Sequence, residues 1–360
     1  MTHLERLRAA LANDGRFDAL IITSEINQRY LTGFNYTDGL VLVTEKRACL
    51  LADFRYIEAA KASRAVDEFE IIMPDCSMAE MARRIFKDCA VKRIGVEEAT
   101  LALRTFESYK GIFEGCEVLG GASALIDTLR EYKDADEMAA IAKAQSIADA
   151  AFSHIVEFIR PDMTEMQVAL ELEFFMRANG AEAAAFETIA ISGTASSRPH
   201  GVPRYEKLEK GFLTMDYGAR VDGYCSDMTR TIVIGKADKD QIEIYNTVLR
   251  AQRAALELAR EGIGCYEMDF AARHIIDCAG YGKYFGHSLG HGVGMYIHEA
   301  PNLSPRLPRD KVLEVGHIVT VEPGIYIEGK YGCRIEDMIG VTEQGIINFA
   351  HSTKELIEIY

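Results

Sequence analysis

Five residues that can present an anion or an imidazole to a cation recur in the C-terminal half of the chain: Asp216, Asp227, His291, Glu322 and Glu336. They stand in MDYGARVDGYCSDMTRT, GHSLGHGVGMYIHEAP, VTVEPGIY and GCRIED. Two aspartates, one histidine and two glutamates form an oxygen-rich ligand set that suits manganese first, with cobalt, zinc or iron also compatible. A structural zinc site would draw on cysteines, and none belongs to this set. Two divalent ions held about 3.5–4 Å apart polarise a carbonyl and activate a water, so amide hydrolysis is the natural reaction. Taken singly, each motif is bland: an aspartate on a strand usually faces solvent, and Glu-Pro-Gly is an ordinary turn signal. The combination of four carboxylates on expected strands with a glycine-rich histidine segment is what calls for a metal centre.

Two hairpins must position the carboxylates. Residues 212–234 read as two strands around Asp222-Gly223, a two-residue turn in which both central positions take positive φ. A turn centred between 222 and 223 pairs residues whose numbers add to 445, setting Asp216 against Thr229 and Asp227 against Gly218. Side-chain alternation puts these four on one face, with Gly218 leaving room beside Asp227 and Thr229 free to hydrogen-bond a carboxylate. By the same parity Cys225 shares the face of Asp227. A second ribbon, HIVTVEPGIYI and CRIEDMIGV, turns around Gly329 and sets Glu322 against Glu336. Like charges directly opposite destabilise a sheet, and a cation between them removes the objection. Arg334 shares a strand face with Glu336, whereas Asp337 points the other way and is not counted as a ligand.

His291 lies in GHSLGHGVG, whose glycines allow close backbone approach. No phosphate-loop Lys-Ser/Thr follows, and the i, i+4 pair His287/His291 lacks the Glu of His-Glu-x-x-His and is broken by Gly290, which excludes a zincin helix. His298 in IHEAP and His200 in SSRPHG are further imidazoles that could meet a substrate.

These motifs closely resemble the pita-bread metallopeptidases, the group of Xaa-Pro aminopeptidases (aminopeptidase P) and Xaa-Pro dipeptidases (prolidases). The resemblance is strong over residues 123–360 and looser before them. It implies that Asp216, Asp227, His291, Glu322 and Glu336 bind two metal ions and that His200, His287, His298 and Arg334 contact substrate. It further implies cleavage between an N-terminal residue and a following proline in short peptides, with Glu322 relaying a proton and His298 and His200 assisting catalysis. Many relatives carry Arg just after His-Glu-x-Pro, where it can hold a dipeptide's carboxylate. Here HEAPNLS places Asn302 there, with Arg306 a candidate substitute. The expectation therefore tilts to an Xaa-Pro aminopeptidase, with an Xaa-Pro dipeptidase as the alternative. A creatinase-like or non-enzymatic member of the fold would have no need of all five ligands. A methionine aminopeptidase would usually lack the N-terminal part.

With 360 residues, 48% of them hydrophobic, the chain can build two cores. A net charge of −15, with no basic block interleaved with aromatics, argues against nucleic acid and anionic membrane surfaces as partners. No apolar run reaches membrane-spanning length, and the charged amphipathic N-terminus is unlike a signal peptide. Eight cysteines without a Cys-x-x-Cys read as reduced thiols of a cytoplasmic enzyme. Alternating patterns place an α/β domain over 1–122, in which INQRYLTGF reads as a loop. Residues 123–360 read as an α+β domain: a curved, mainly antiparallel sheet backed by helices, opened by one long amphipathic helix over LIDTLREYKDADEMAAIAKAQSIADAAFSHIVEFI. The resemblance adds a homodimer, with the N-terminal domain contributing to its contacts.

Overall fold

The structure is a computed structural model describing residues 1–360, and the backbone divides into two compact units, Met1–Arg130 and Glu131–Tyr360. The first is a six-stranded mixed sheet. Strands β1 (Ala19–Ile22), β2 (Leu40–Thr44) and β3 (Ala48–Leu51) form an antiparallel meander, and β4 (Glu70–Ile72), β5 (Arg93–Val96) and β6 (Glu117–Leu119) join in parallel, in the order β4-β3-β2-β1-β5-β6. Helices α1 (His3–Asp14), α2 (Glu25–Thr32), α3 (Ile57–Ala62), α4 (Met78–Asp88), α5 (Leu103–Ile112) and α6 (Ser123–Glu131) accompany it.

Two expectations need correction here. The segment read as a loop, INQRYLTGF, is mostly helix α2. Its buried face carries polar residues, so no apolar period announces it: Gln28 donates to the carbonyls of Ile22 and Gly39, and Asn27 donates to Glu97. Ser24 caps its start by accepting the Asn27 amide. The expected boundary at residue 122 is also displaced to Arg130/Glu131. Helix α6 belongs with the first unit, burying Ile126 and Arg130 and bonding Arg130 to Asn27, so the long helix is in fact two. The second of them begins after Lys133, where Asp134 and Glu137 form a reciprocal capping box.

In the second unit, α7 (Ala135–Phe158) and α8 (Glu165–Ala178) precede strands β7 (Ala183–Ala184), β8 (Ile189–Ser192), β9 (Gly211–Tyr217), β10 (Ala219–Val221), β11 (Tyr224–Cys225) and β12 (Met228–Ile234). Helices α9 (Lys239–Leu258) and α10 (Cys265–Cys278) then precede β13 (Gly290–Gly292), β14 (Glu299–Leu303), β15 (Ile318–Val321), β16 (Gly324–Ile327), β17 (Tyr331–Arg334), β18 (Asp337–Thr342), β19 (Gly345–Asn348) and β20 (Glu358–Ile359). The two halves repeat one plan. Helices α8 and α10 have equal length at an offset of 100 residues, and each is preceded by an isolated bridge, Thr164 to Lys207 and Gly264 to Val312. One core packs α7 and α8 against β9 and β12 through Val168, Leu172, Met176, Leu213, Met215 and Ile232. The other packs α9 and α10 against β15 and β18 through Val248, Ala272, Ile276, Val319 and Ile339.

The sheet is broken where the chemistry-bearing residues sit. In the first hairpin the pairs Asp216–Thr229 and Arg220–Cys225 keep one register on both sides of an interruption at Gly218 and Ser226-Asp227. Asp222 and Gly223 take φ of 50° and 89°, the turn expected from sequence. In the second, Val321–Asp337 and Gly324–Arg334 share a register while Glu322-Pro323 and Ile335-Glu336 leave the ladder. Proline has no N–H to offer a ladder, so Pro323 suits that opening. The freed amides are used elsewhere: Glu322 donates to the Leu289 carbonyl (2.9 Å) and Glu336 to the Thr229 carbonyl (3.1 Å).

Asp337, one residue past the break, is fully buried and paired with Arg230 (2.8 Å), Asn348 (2.9 Å) and Lys354. Those cations outweigh burial in its titration and hold its carboxyl below the ordinary range. Removing one partner of a buried pair strands the other charge, so Asp337→Ala should cost about 3–5 kcal/mol at neutral pH. Urea unfolding of the variant against the parent checks this.

Candidate metal centre

Asp227, His291 and Glu336 converge from three different chain segments, with ligand atoms all within 4.8 Å of one another. His291 Nδ1 meets the Gly292 carbonyl at 3.0 Å, and a carbonyl can only accept, so Nδ1 carries the proton. The unprotonated Nε2 then faces Asp227 Oδ2 at 3.6 Å and Glu322 Oε1 at 3.5 Å. A lone pair looking at two carboxylates is an arrangement that a cation resolves. Burial pulls His291 down to about 4, so the ring is neutral and ready to ligate at neutral pH.

The carboxylates crowd one another. Burial, then neighbouring carboxylates, push Asp227 and Glu336 well above the ordinary range. Burial pushes Glu322 up to about 8, with Arg334 pulling down and Asp216 pushing up. Arg334 Nη2 lies 2.5 Å from Asp216 Oδ2, and Nε donates to Thr229 Oγ1 at 3.0 Å. Thr229 in turn donates to Glu336 Oε2 at 2.7 Å. Asp216 keeps its other oxygen, Oδ1, buried with no hydrogen-bond partner. A buried, unsatisfied carboxylate oxygen beside three more carboxylates is a donor set that fits divalent cations.

All five candidate ligands line one cavity of about 490 Å³, together with His200, His287, His298, Asn302 and Arg334. Its apolar wall includes Phe186, Ile189 and Ile297. That volume lies in the range of small-ligand sites. The rings of His291 and His298 are 4.3 Å apart, and His200 and His298 are open to solvent. Burial and then Arg334 pull His287 down to about 4. Its Nδ1 meets the Ser288 carbonyl (2.8 Å) and Nε2 the Tyr326 hydroxyl (3.1 Å), so the phenol donates to the ring and accepts from Arg334 Nη1 (2.7 Å).

Tyr326 is the site residue that sequence reasoning missed. Strand parity could have found it, because it lies opposite Gly332, two residues before Arg334. Other readings change. Gly218 does not make room for Asp227: a Cβ there would lie 1.8 Å from the Ser226 carbonyl oxygen, so the glycine admits backbone. Cys225 turns away with the break, buried against the Met295 carbonyl and outside the cavity lining. Arg306 is exposed and also outside it.

If the carboxylate cluster is a cation site, added Mn²⁺ should raise the melting temperature of chelator-treated protein, by about 4 kcal/mol of stabilisation at a thousandfold excess over Kd. Asp227→Asn should abolish most of that rise; an unchanged rise would place the cation elsewhere.

Residues 139–343 match Metallopeptidase family M24, and residues 3–132 match the Creatinase/Prolidase N-terminal domain. The structure of an Xaa-Pro dipeptidase from Bacillus anthracis superposes with a TM-score of 0.94 at 43% identity, covering 99% of each chain. An X-Pro aminopeptidase from Thermotoga maritima MSB8 gives a TM-score of 0.89 at 34% identity, covering 95% of this chain and 98% of that one. An Xaa-Pro dipeptidase of Pyrococcus furiosus is 36% identical over 98% of this chain and 99% of its own. A family match across more than half of the chain, the shared two-part architecture and the buried carboxylate cluster together make this chain a member of metallopeptidase family M24.

Proposed function

We propose that the chain is an Xaa-Pro dipeptidase working with two divalent cations, held by Asp216, Asp227, His291, Glu322 and Glu336. The observation that carries this is the convergence of four carboxylates and a neutral imidazole on one cavity, with an orphaned Asp216 oxygen. The similarity to the Bacillus anthracis and Pyrococcus furiosus dipeptidases moves the reading from the aminopeptidase expected from Asn302 to the dipeptidase. Manganese is the ion we would supply first, by the oxygen-rich donor set.

Ions at this site supply polarisation of the scissile carbonyl and a water of lowered pKa. The protein's own groups then do the following. Glu322, held by Thr320 Oγ1 at 3.3 Å, accepts a proton from the attacking water and returns it to the leaving proline nitrogen. That nitrogen is tertiary in the substrate, so recognition cannot use an N–H and falls to the shape of the slot. His200 and His298, open at the cavity, donate hydrogen bonds to the oxygen on which negative charge develops. His287, fixed by Tyr326, presents its ring to the substrate, and Arg334 holds Asp216 in place. Thr229 orients Glu336. The proposal extends to a homodimer, by the family resemblance, and to a reducing cytoplasm, which the eight free cysteines favour. No helix is long and apolar enough to cross a membrane.

A second reading, the Xaa-Pro aminopeptidase, is favoured by Asn302 at the cavity and Arg306 outside its lining, which leave no added arginine for a dipeptide's carboxylate. Turnover of Xaa-Pro and Xaa-Pro-Xaa peptides after chelation and Mn²⁺ addition decides between them. The dipeptide should be cleaved at least about 10-fold more efficiently. Preference for the tripeptide would establish the second reading, and activity surviving complete metal removal would overturn both. Glu322→Ala should lower kcat by at least about 10³-fold with correct folding.

A further inference from the structure

One ion pair outside the cavity grips the segment that carries His287. On α10, Asp269 is fully buried and bonded twice to Arg273, one turn later, with Nε to Oδ2 at 2.8 Å and Nη2 to Oδ1 at 2.9 Å. The pair spends its remaining bonding capacity on one stretch of irregular backbone. Arg273 Nη1 donates to the Phe285 carbonyl and Nη2 to the His287 carbonyl, both at 2.8 Å, while Asp269 Oδ1 accepts the Leu289 amide at 2.9 Å. Alternate residues 285, 287 and 289 are thus tied to a rigid helix by one carboxylate and one guanidinium. The side chains add to the grip. The guanidinium lies 4.2 Å above the Phe285 ring, and that ring meets His287 edge-on at 5.0 Å.

The segment has no helix or strand of its own at 285–289, so its backbone polar groups depend on these bonds. Neither Asp269 nor Arg273 lines the cavity. We infer that Asp269 and Arg273 are positioning residues for substrate binding, acting through His287. This rests on the proposed peptidase function for the meaning of His287, but the bracket itself is independent of the ligand set. Lysine at 273 keeps the charge but lacks the planar fork, so it cannot serve a carboxylate and two carbonyls at once.

The test is Arg273→Lys on the full-length, Mn²⁺-loaded enzyme, alone and combined with His287→Ala. Alone it should raise KM for an Xaa-Pro dipeptide about 10-fold with kcat and bound manganese near parental values. In the His287→Ala background the same substitution should cost little more, because coupled residues are not additive. Equal losses in both backgrounds, or an unchanged KM, would overturn the inference. Asp269→Asn, which keeps an acceptor for Leu289, is the second variant should Arg273→Lys fold poorly, with the same expected KM rise and coupling. With diamagnetic Zn²⁺ in place of Mn²⁺, which would broaden rings this close to it, the imidazole nitrogen resonances of isotope-labelled histidine give a readout free of turnover. His287 should move in either variant while His298 stays; unmoved His287 resonances would refute the bracket. Absence of any Xaa-Pro turnover by the parent enzyme would sink the proposed function instead, leaving the resonances to decide this point.

Discussion

The mutual repulsion of buried carboxylates governs this structure. Asp216, Asp227, Glu322 and Glu336 share one cavity with a single guanidinium, Arg334, among its lining side chains. Two such charges 4 Å apart repel by about 4 kcal/mol at an effective dielectric of 20. Much of the surrounding architecture reads as a response to that field. Arg334 is placed against Asp216 and is itself held by Thr229 and Tyr326. The ladder opens beside the acids, so that their backbones can separate while the strands on either side stay in register. The remaining imbalance is what cations are suited to cancel, and the cost of assembling the acids without them is the reason a metallopeptidase site is so recognisable in a bare fold.

Two kinds of scaffold divide the work. Residues assigned to the ions sit on or beside sheet strands, where register dictates direction. The imidazoles assigned to substrate sit on irregular segments, and each segment is tied down by a carboxylate and a cation. Arg204, four residues past His200, meets Glu165, a fully buried carboxylate that also accepts from Ser192. Arg273 and Asp269 bracket His287. Glu299, next to His298, meets Lys133 at 3.2 Å with both side chains almost wholly buried. Loops are ordinarily the mobile part of a protein. These three are irregular in path but strongly fixed at a point close to the functional ring.

Much of the site was legible in the sequence because a two-residue turn makes register a matter of counting. Asp222-Gly223 and Gly329 located Asp216 opposite Thr229, and the two halves of the second ribbon keep the expected pairing. What counting could not reach was whatever departs from a regular ladder. The breaks at Ser226-Asp227 and Glu322-Pro323 redirected Cys225 and gave Gly218 a different reason to be glycine. Helix α2 stayed hidden because its inward face is polar and satisfied by side chains, leaving no apolar rhythm. Tyr326 looked like an ordinary strand aromatic until its hydroxyl was seen between Arg334 and His287. The tilt to an aminopeptidase rested on a single position, Asn302, whereas likeness across the whole chain to the Xaa-Pro dipeptidases favours the alternative.

The unbroken register across each interrupted ladder also bears on how such a chain can vary through time. The tip of each hairpin lies outside the cavity lining, the kind of place where insertions usually accumulate without harm. Here the tip is the counter that decides which residues face inward. One residue gained between Val221 and Tyr224 would shift the pairing by one and turn Asp216 and Thr229 to opposite sides of their strands. Loop length in these two ribbons is therefore constrained together with the acids, and a turn that drifted would swing them away from the cavity without a single change in them.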